Sequence, residues 1–525
     1  MKLFILIPSI LLILLALIII FRKSIKQFLL WLYNLLIDVF KSILKTISSN
    51  KIIKAFFDNH PRFRKFLNDR FDKNNKYGLK LTIFLFIILM CIIWFISIGE
   101  GYINQEIAFQ YDLRLNNLFL FFRDQHLINI FTFITNIADP KMILAGAALF
   151  SIFLYISKNK EYIFPFFISI GSASILDSIL KIIFNRPRPS ISFYAESNAS
   201  FPSGHATIVV AFFGFICYFL IKNSKKNRNK ILYIIAFVII SALVGFSRLY
   251  LGAHYLTDVL GGFLLGLISL LSSICISELF FIKNNKNKNL KNFYLFVLAF
   301  ILLLISFTLL FKQKINPLKV SFLKNINMQY VNSDINKQFD SNKISKYSEQ
   351  LSGQVEEPIS FIIIANSDTD LINLFNKTGW ELAQKPTLQS VINVIMAAIK
   401  NKQDPSAPMT PSFWDTQVHN FGFEKATIEN TSRKRHHARF WGTNILIDGK
   451  KVYLGTASLD IGIKWGITHT IAPDIDTERD FLFNDLNQTG LIKKYNKQLF
   501  VSPTLGKNFA GDTFFTNGEA YMIEL

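Results

Sequence analysis

Three groups of polar residues stand out against an apolar background. They are Lys181 with Arg188-Pro189, then Pro202-Ser203-Gly204-His205, then Ser247-Arg248 followed by His254 and Asp258. Each falls at the end of a hydrophobic run, where charged groups are costly and mark a functional site by default. Their types suit phosphorus chemistry. Lys181, Arg188 and Arg248 supply three cations, and an arginine can fork onto two phosphate oxygens. Ser203 and Gly204 precede an apolar run that begins at His205, so their hydroxyl and N–H groups can lie at a helix N-terminus, which favours an anion. His254 and Asp258 are four residues apart and on a helix would share a face. Asp258 then holds the imidazole in one tautomer and raises its nucleophilicity. His205 is left to protonate a leaving oxygen.

Taken singly, each residue has a plainer reading. Lys181 pairs with Asp177 one turn earlier or snorkels, Arg248 anchors topology, and a histidine at a helix end is a satisfied structural group. Taken together, the pattern Lys-x6-Arg-Pro, Pro-Ser-Gly-His, Ser-Arg-x5-His-x3-Asp resembles the type 2 phosphatidic acid phosphatase (PAP2) superfamily, with every motif position filled. The resemblance implies that His254 attacks phosphorus to give a phosphohistidine, with His205 and Asp258 as its catalytic partners and no metal or other cofactor. It also implies that Lys181, Arg188, Ser203, Gly204 and Arg248 bind the phosphoryl group. Arg186-Pro187 stands just before Arg188-Pro189, and only the spacing from Lys181 selects Arg188.

The elements that must position these residues are membrane helices. The chain has 525 residues, 51% of them hydrophobic, and several runs reach the ~20 apolar residues that cross a bilayer. Its net charge of +21 does not point to nucleic acid, because much of it sits in short loops beside apolar runs, as the positive-inside rule requires. Cys91, Cys217 and Cys275 lie within apolar segments and give no disulfide framework. Residues 3–21 read as an uncleaved anchor and 27–47 as an interfacial amphipathic helix, with a basic stretch to residue 78. Spans are expected near 79–99, 141–157, 162–184, 204–221, 231–250, 255–280 and 293–311, with a semi-apolar helix around Leu115–Phe133 in the loop between the first two. Five cations in 222–230 and four in 283–291 mark cytoplasmic loops, and all three polar groups then fall on the opposite, extracytoplasmic face.

After residue 311 the hydropathy collapses. Residues 312–356 read as an extracytoplasmic linker with weak local structure, and 357–525 as a separate soluble α+β domain. Strands are expected at Ile359–Ala365 and across Asn444–Leu454, with a turn at Asp448-Gly449, and helices at Asp368–Trp380 and Asp476–Asn487, the second opened by Thr477. This region resembles the LssY-like C-terminal domain through Arg435-His436-His437-Ala438-Arg439-Phe440-Trp441 and the acidic run Pro473 to Asp480. Adjacent His436 and His437 point to opposite faces of a strand and cannot both ligate one metal without distortion. His419, His469, Asp474 and Asp476 are the residues available to join one of them. The plainer reading is a solvated basic strand end.

The expected architecture is therefore an all-α polytopic membrane protein with a C-terminal soluble α+β domain. Residues 1–78 form the anchor and amphipathic segment, 79–280 a six-helix PAP2-like core, and 281–311 an additional span. The expected partners are the bilayer, a lipid phosphate substrate and an extracytoplasmic partner for 357–525. Undecaprenyl diphosphate, phosphatidylglycerophosphate, phosphatidate and a lipid A phosphate are the candidate substrates. The alternative is a transport or secretion-associated protein with a non-catalytic phosphate pocket. A reporter active only outside the cytoplasm is expected to work when fused after residue 311 and to fail when fused within 222–230. The reverse pattern would put the pocket inside.

Overall fold

The computed structural model describes residues 50–525 apart from 73–74, 76, 105–106, 194–195, 197, 282–292, 312–328, 332–338, 340–343, 388–389, 391–405, 430–433, 465–467 and 509, and positions 31, 35, 38 and 42 before them. The expected anchor at 3–21 and nearly all of 27–47 lie outside the described residues.

Two short helices, α1 (Lys51–Asn59) and α2 (Pro61–Phe71), lead into the membrane half. There follow α3 (Leu79–Ile103), α4 (Ile107–Phe121), α5 (Gln125–Thr135), α6 (Pro140–Ile156), α7 (Ile163–Phe184), α8 (Gly204–Asn223), α9 (Asn227–Tyr250), α10 (Leu256–Ile276) and α11 (Phe293–Phe311). Among the described residues, α3, α7, α8, α9 and α10 are each long and apolar enough to cross a bilayer. The expected span at 141–157 is instead the second half of a pair, α5 and α6, bent by 49°. Asp139 accepts from the Lys141 N–H and Pro140 opens α6, so the preceding helix cannot run through. The expected helix at Leu115–Phe133 is likewise split. Asp124 accepts from the N–H groups of His126 and Leu127, which caps α5 and separates it from α4.

Between membrane helices there is no hydrophobic driving force, so association depends on close packing. Phenylalanines fill the core: Phe150, Phe166, Phe212, Phe215 and Phe219 are fully buried, and Phe296 and Phe300 bring α11 against them. Edge-on pairs such as Phe150–Phe219 and Phe150–Phe166 recur, each worth about 0.5–1.5 kcal/mol beyond burial. The most enclosed helices are α8 and α10, and they meet at Gly262 and Gly266. A Cβ at either position would stand 2.6 Å from a backbone oxygen of α8 or its cap, that of Ser203 or of Thr207. This small-xxx-small contact lets the two backbones approach, and it brings the Ser203 N–H to the Asp258 carbonyl at 3.0 Å.

The second half is a β domain. Its main sheet uses β1 (Gln329–Val331), β2 (Phe361–Ala365), β3 (Glu381–Leu382), β4 (Phe421–Ala426), β5 (Arg435–Ile447), β6 (Lys450–Lys464), β7 (Thr468–Ile471), β8 (Lys494–Leu499) and β9 (Glu519–Glu524). Their order is β8-β9-β2-β6-β5-β4-β3, with β1 against β5 and β7 against β6. Asp448 and Gly449 both take positive φ, which is the two-residue turn that matches strand twist. The hairpin they close extends well beyond the expected Asn444–Leu454. Helices α12 (Asp368–Asn376) and α13 (Ile475–Asn487) cover the sheet, and α13 is capped by Asp474 rather than opened at Thr477. Most of 312–343 in the expected linker lies outside the described residues, but its C-terminal end is corrected. Tyr347–Glu349 and Val355–Pro358 are strands of a smaller sheet, paired with each other and with Phe413–Trp414 and Gln417–Val418.

Gly266→Ala should therefore push α8 off α10, because the obstructing atom is backbone oxygen and cannot rotate away. The expected cost is about 1–3 kcal/mol, read as a lower thermal unfolding midpoint in detergent. Gly171→Ala, whose Cβ meets nothing within 4 Å, is the control. Equal losses in both would discount the close approach.

Candidate active site

The third motif builds a helix reversal. Arg248 sits in the last turn of α9, and the chain turns back through Gly252 at φ +64. His254 lies just before α10, whose N-cap is Tyr255, and Asp258 accepts from the Tyr255 N–H at 2.8 Å. His254 and Asp258 therefore do not share a helix face, as their spacing suggested. The reversal and the cap bring them together instead, with Nδ1 3.5 Å from Oδ2. Ser200 lies between: its hydroxyl donates to Asp258 Oδ2 and stands 3.4 Å from His254 Nδ1.

The other ring nitrogen faces a cation. Arg188 Nη1 lies 3.3 Å from His254 Nε2 and donates to the Ala253 carbonyl at 2.9 Å. A guanidinium can only donate, so Nε2 is the acceptor and Nδ1 carries the proton towards Ser200 and Asp258. Burial, then Arg248 and Arg188, hold the His254 pKa well below its ordinary value, against the opposing pull of Glu196. The imidazole is neutral, with a lone pair pointing at Arg188.

Arg188 and Arg248 converge on one anion, the Glu196 carboxylate. Arg188 Nη2 lies 2.6 Å from Oε2, and Arg248 Nη2 pairs with Oε1 while its Nη1 donates to Thr135 at 3.0 Å. Burial opposes ionisation of Glu196, but the charges of Arg248 and Arg188 outweigh it and hold its pKa low. Ser203, the N-cap of α8, has a fully buried hydroxyl with no partner among the described residues. Gly204 and His205 follow in the first turn of α8. Lys181 is engaged outside this carboxylate grip. Its Nζ donates to the Pro202 carbonyl and lies 3.4 Å from Asp177, the partner that its plainer reading named.

Four participants were not singled out from sequence, and a fifth, Arg186, was named there only as the alternative to Arg188. Arg186, set aside by spacing, is buried behind Asp258. It donates to Asp258 Oδ1 at 2.7 Å, to Thr257 at 2.7 Å and to Asp112 at 2.8 Å, and it lies over the rings of Tyr102 and Tyr255. Asp112 on α4, Ser200, Glu196 and Thr257 complete the surroundings. The doubled Arg-Pro was the one available signal.

The cluster in the β domain is a separate network. His436 Nδ1 lies 2.9 Å from Glu478 with its ring stacked on Phe481, while His437 faces Asp460 at 3.1 Å and accepts from Arg439. Arg435 pairs with Glu424 and Asp460. A solvated strand end was expected. Acids from β4, β6 and α13 close over it instead, and such pairing is long-range in sequence. Among the described residues, no group of three or more His, Cys, Asp or Glu could hold a metal ion.

Residues 162–282, which contain all eight motif positions, match the model of the PAP2 superfamily, and residues 341–520 match that of the LssY C-terminus. The chain is 31% identical over 137 residues to lipid A 1-phosphatase of Rhizobium johnstonii, covering 24% of this chain and 51% of that protein. Two crystal structures resemble it: the transmembrane PAP2 type phosphatidylglycerolphosphate phosphatase from Bacillus subtilis (27% identity, TM-score 0.36, 38% of this chain and 98% of that one) and Aquifex aeolicus LpxE (26% identity, TM-score 0.26, 31% and 92%). It is also 36% identical over 157 residues to phosphatidylglycerophosphatase B of Bacillus subtilis, across 29% of this chain and 70% of that protein. Similarity at that level over more than two-thirds of a relative's length shows that the chain belongs to the PAP2 superfamily of membrane phosphatases.

Proposed function

We propose that this membrane phosphatase hydrolyses lipid-linked phosphate or diphosphate monoesters through a phosphohistidine at His254, on the extracytoplasmic face. One observation carries the reading. Two arginines grip a single carboxylate, one on each oxygen, beside the acceptor nitrogen of a neutral histidine. A carboxylate held in this way stands where a phosphoryl group would be held, and the substrate takes its place.

His254 Nε2 attacks phosphorus in line. The N–P bond forms as the P–O bond to the lipid breaks, and His205 gives its proton to the departing oxygen. Asp258 and Ser200 hold the Nδ1 proton and stabilise the ring as it becomes cationic. Arg188, Arg248, Lys181, the Ser203 hydroxyl and the Gly204 N–H meet the charge spread over the equatorial oxygens. Water, deprotonated by His205, then cleaves the N–P bond, releasing inorganic phosphate and neutral His254. These side chains supply every proton transfer, and no metal enters the scheme.

Two supports bear on substrate and side. The relatives' names point to phosphatidylglycerophosphate and to the 1-phosphate of lipid A. Undecaprenyl diphosphate and phosphatidate present the same terminal group. The reversal at 251–255 joins α9 to α10 at the site, so the Lys-rich connection between α8 and α9 lies at the far end of the bundle. The positive-inside rule puts that connection in the cytoplasm.

Purified protein assayed on lipid phosphates tests the scheme. His254→Ala should abolish phosphate release, and Asp258→Asn should lower kcat by roughly 10²–10⁴-fold. Orthovanadate should inhibit through its five-coordinate geometry, and EDTA should leave turnover unchanged. Loss of activity in EDTA, restored by a divalent cation, would sink the metal-free scheme. Because the His254 pKa is lowered, the nucleophile stays unprotonated as pH falls through the ordinary imidazole range. The acid limb of kcat/KM should therefore lie below pH ~6.5. A limb at or above that value would mean a solvated histidine.

A further inference from the structure

Helix α4 is polar for a membrane-associated helix, and it carries two stripes. Gln110, Arg114, Asn117 and Phe121 recur at spacings of four, three and four along one face. Phe109 and Asp112 lie on another. The first stripe meets the β domain. Arg114 pairs with Glu349 at 2.5 Å, with side-chain exposures of 4% and 14%. Asn117 donates to the Thr416 carbonyl at 2.8 Å, and Phe121 packs edge-on against His419. The second stripe meets the catalytic surroundings: Phe109 lies against Arg186, and Asp112 accepts from Arg186 at 2.8 Å and from the Thr257 N–H at 3.1 Å.

The docking contact is specific in its backbone as well. Asp415 and Thr416 form a two-residue turn with φ of +46 and +65. A β-branched residue in that region is strained and persists where its surroundings over-determine it. Here they do: the Thr416 N–H donates to Glu349 Oε1 at 2.5 Å, and its carbonyl accepts from Asn117. One carboxylate thus holds both the turn and the guanidinium of α4. Gly353, at φ +81, also lies against that guanidinium, where a Cβ would come within 2.9 Å of Arg114 Nη1.

We infer that the β domain is a positioning arm of the phosphatase site. Its docking on one face of α4 fixes Asp112 on another, Asp112 fixes Arg186, and Arg186 fixes the carboxylate that orients His254. Asp112 is accordingly a positioning residue for the reaction. The inference deepens the proposed phosphatase function and rests on it. It also revises the expectation of a separate domain after a linker, since Glu349, Thr416 and His419 contact α4 directly.

The test uses the full chain in detergent, with phosphatidate as the substrate probe. Asp112→Asn should lower kcat by roughly 10-fold or more with KM within about 3-fold, because it disturbs orientation rather than binding. Glu349→Gln should lower kcat by ~3–10-fold, and the double variant should be about as slow as Asp112→Asn alone, since contacts in one chain of interactions are not additive. A turnover-free arm follows amide hydrogen exchange of segment 252–258, which should speed up in Glu349→Gln and in Asn117→Ala. Asp112→Asn at near wild-type kcat overturns the inference, as does full multiplication of the two losses in the double variant. So does unchanged exchange at 252–258 in both docking variants, and that arm decides if Asp112→Asn fails to fold. Wild-type protein that releases no phosphate from any lipid phosphate sinks the proposed function instead, and the exchange arm still judges the docking.

Discussion

Everything at the site depends on one buried carboxylate. Asp258 is fully enclosed, and an isolated charge there would neutralise itself rather than remain ionised. It stays useful because donors surround it: Arg186 on one oxygen, and Ser200 and the Tyr255 N–H on the other. Arg186 is a second buried charge, paired in turn with Asp112 and covered by the faces of Tyr102 and Tyr255. A buried network of this kind is costly wherever a partner is missing. The orientation of His254 rests on those pairings.

That network is possible because the backbones of α8 and α10 nearly touch. Glycines at 262 and 266 remove the side chains that would separate the helices, and the Ser203 N–H then reaches the Asp258 carbonyl. Phenylalanine fills the core of the bundle elsewhere. Small residues and large rings are two answers to the same requirement, that a membrane interior be packed without help from water.

The eight motif residues stand out in the sequence because each island is local: a few polar groups at a helix end, in spacings that resemble the PAP2 pattern. Arg188 was separated from Arg186 by that spacing, and the structure places Arg188 against Nε2 and Arg186 behind Asp258. What spacing could not deliver was the second layer. Asp112 is 74 positions from Arg186, and a single Asp in a semi-apolar helix has no periodic signature. The breaks at Asp124 and Asp139 were missed for a related reason. A capping carboxylate inside an apolar stretch looks like one tolerated polar residue until the N–H groups it accepts from are seen. In the β domain the Asp448-Gly449 turn was readable because its chemistry is confined to two residues. The pairing of Arg435 with Glu424 and Asp460 crosses three strands and was not.

The Arg114–Glu349 pair joins residues 235 positions apart, and this has a consequence for biogenesis. Synthesis proceeds at about 5–20 residues per second, so Arg114 leaves the peptidyl-transferase centre roughly 12–47 s before Glu349 exists. A guanidinium without its counter-ion does not enter a dry interface, because an uncompensated buried charge is strongly unfavourable. The contact that buries Arg114 against Glu349 therefore forms only after the later helices and the start of the β domain have been made.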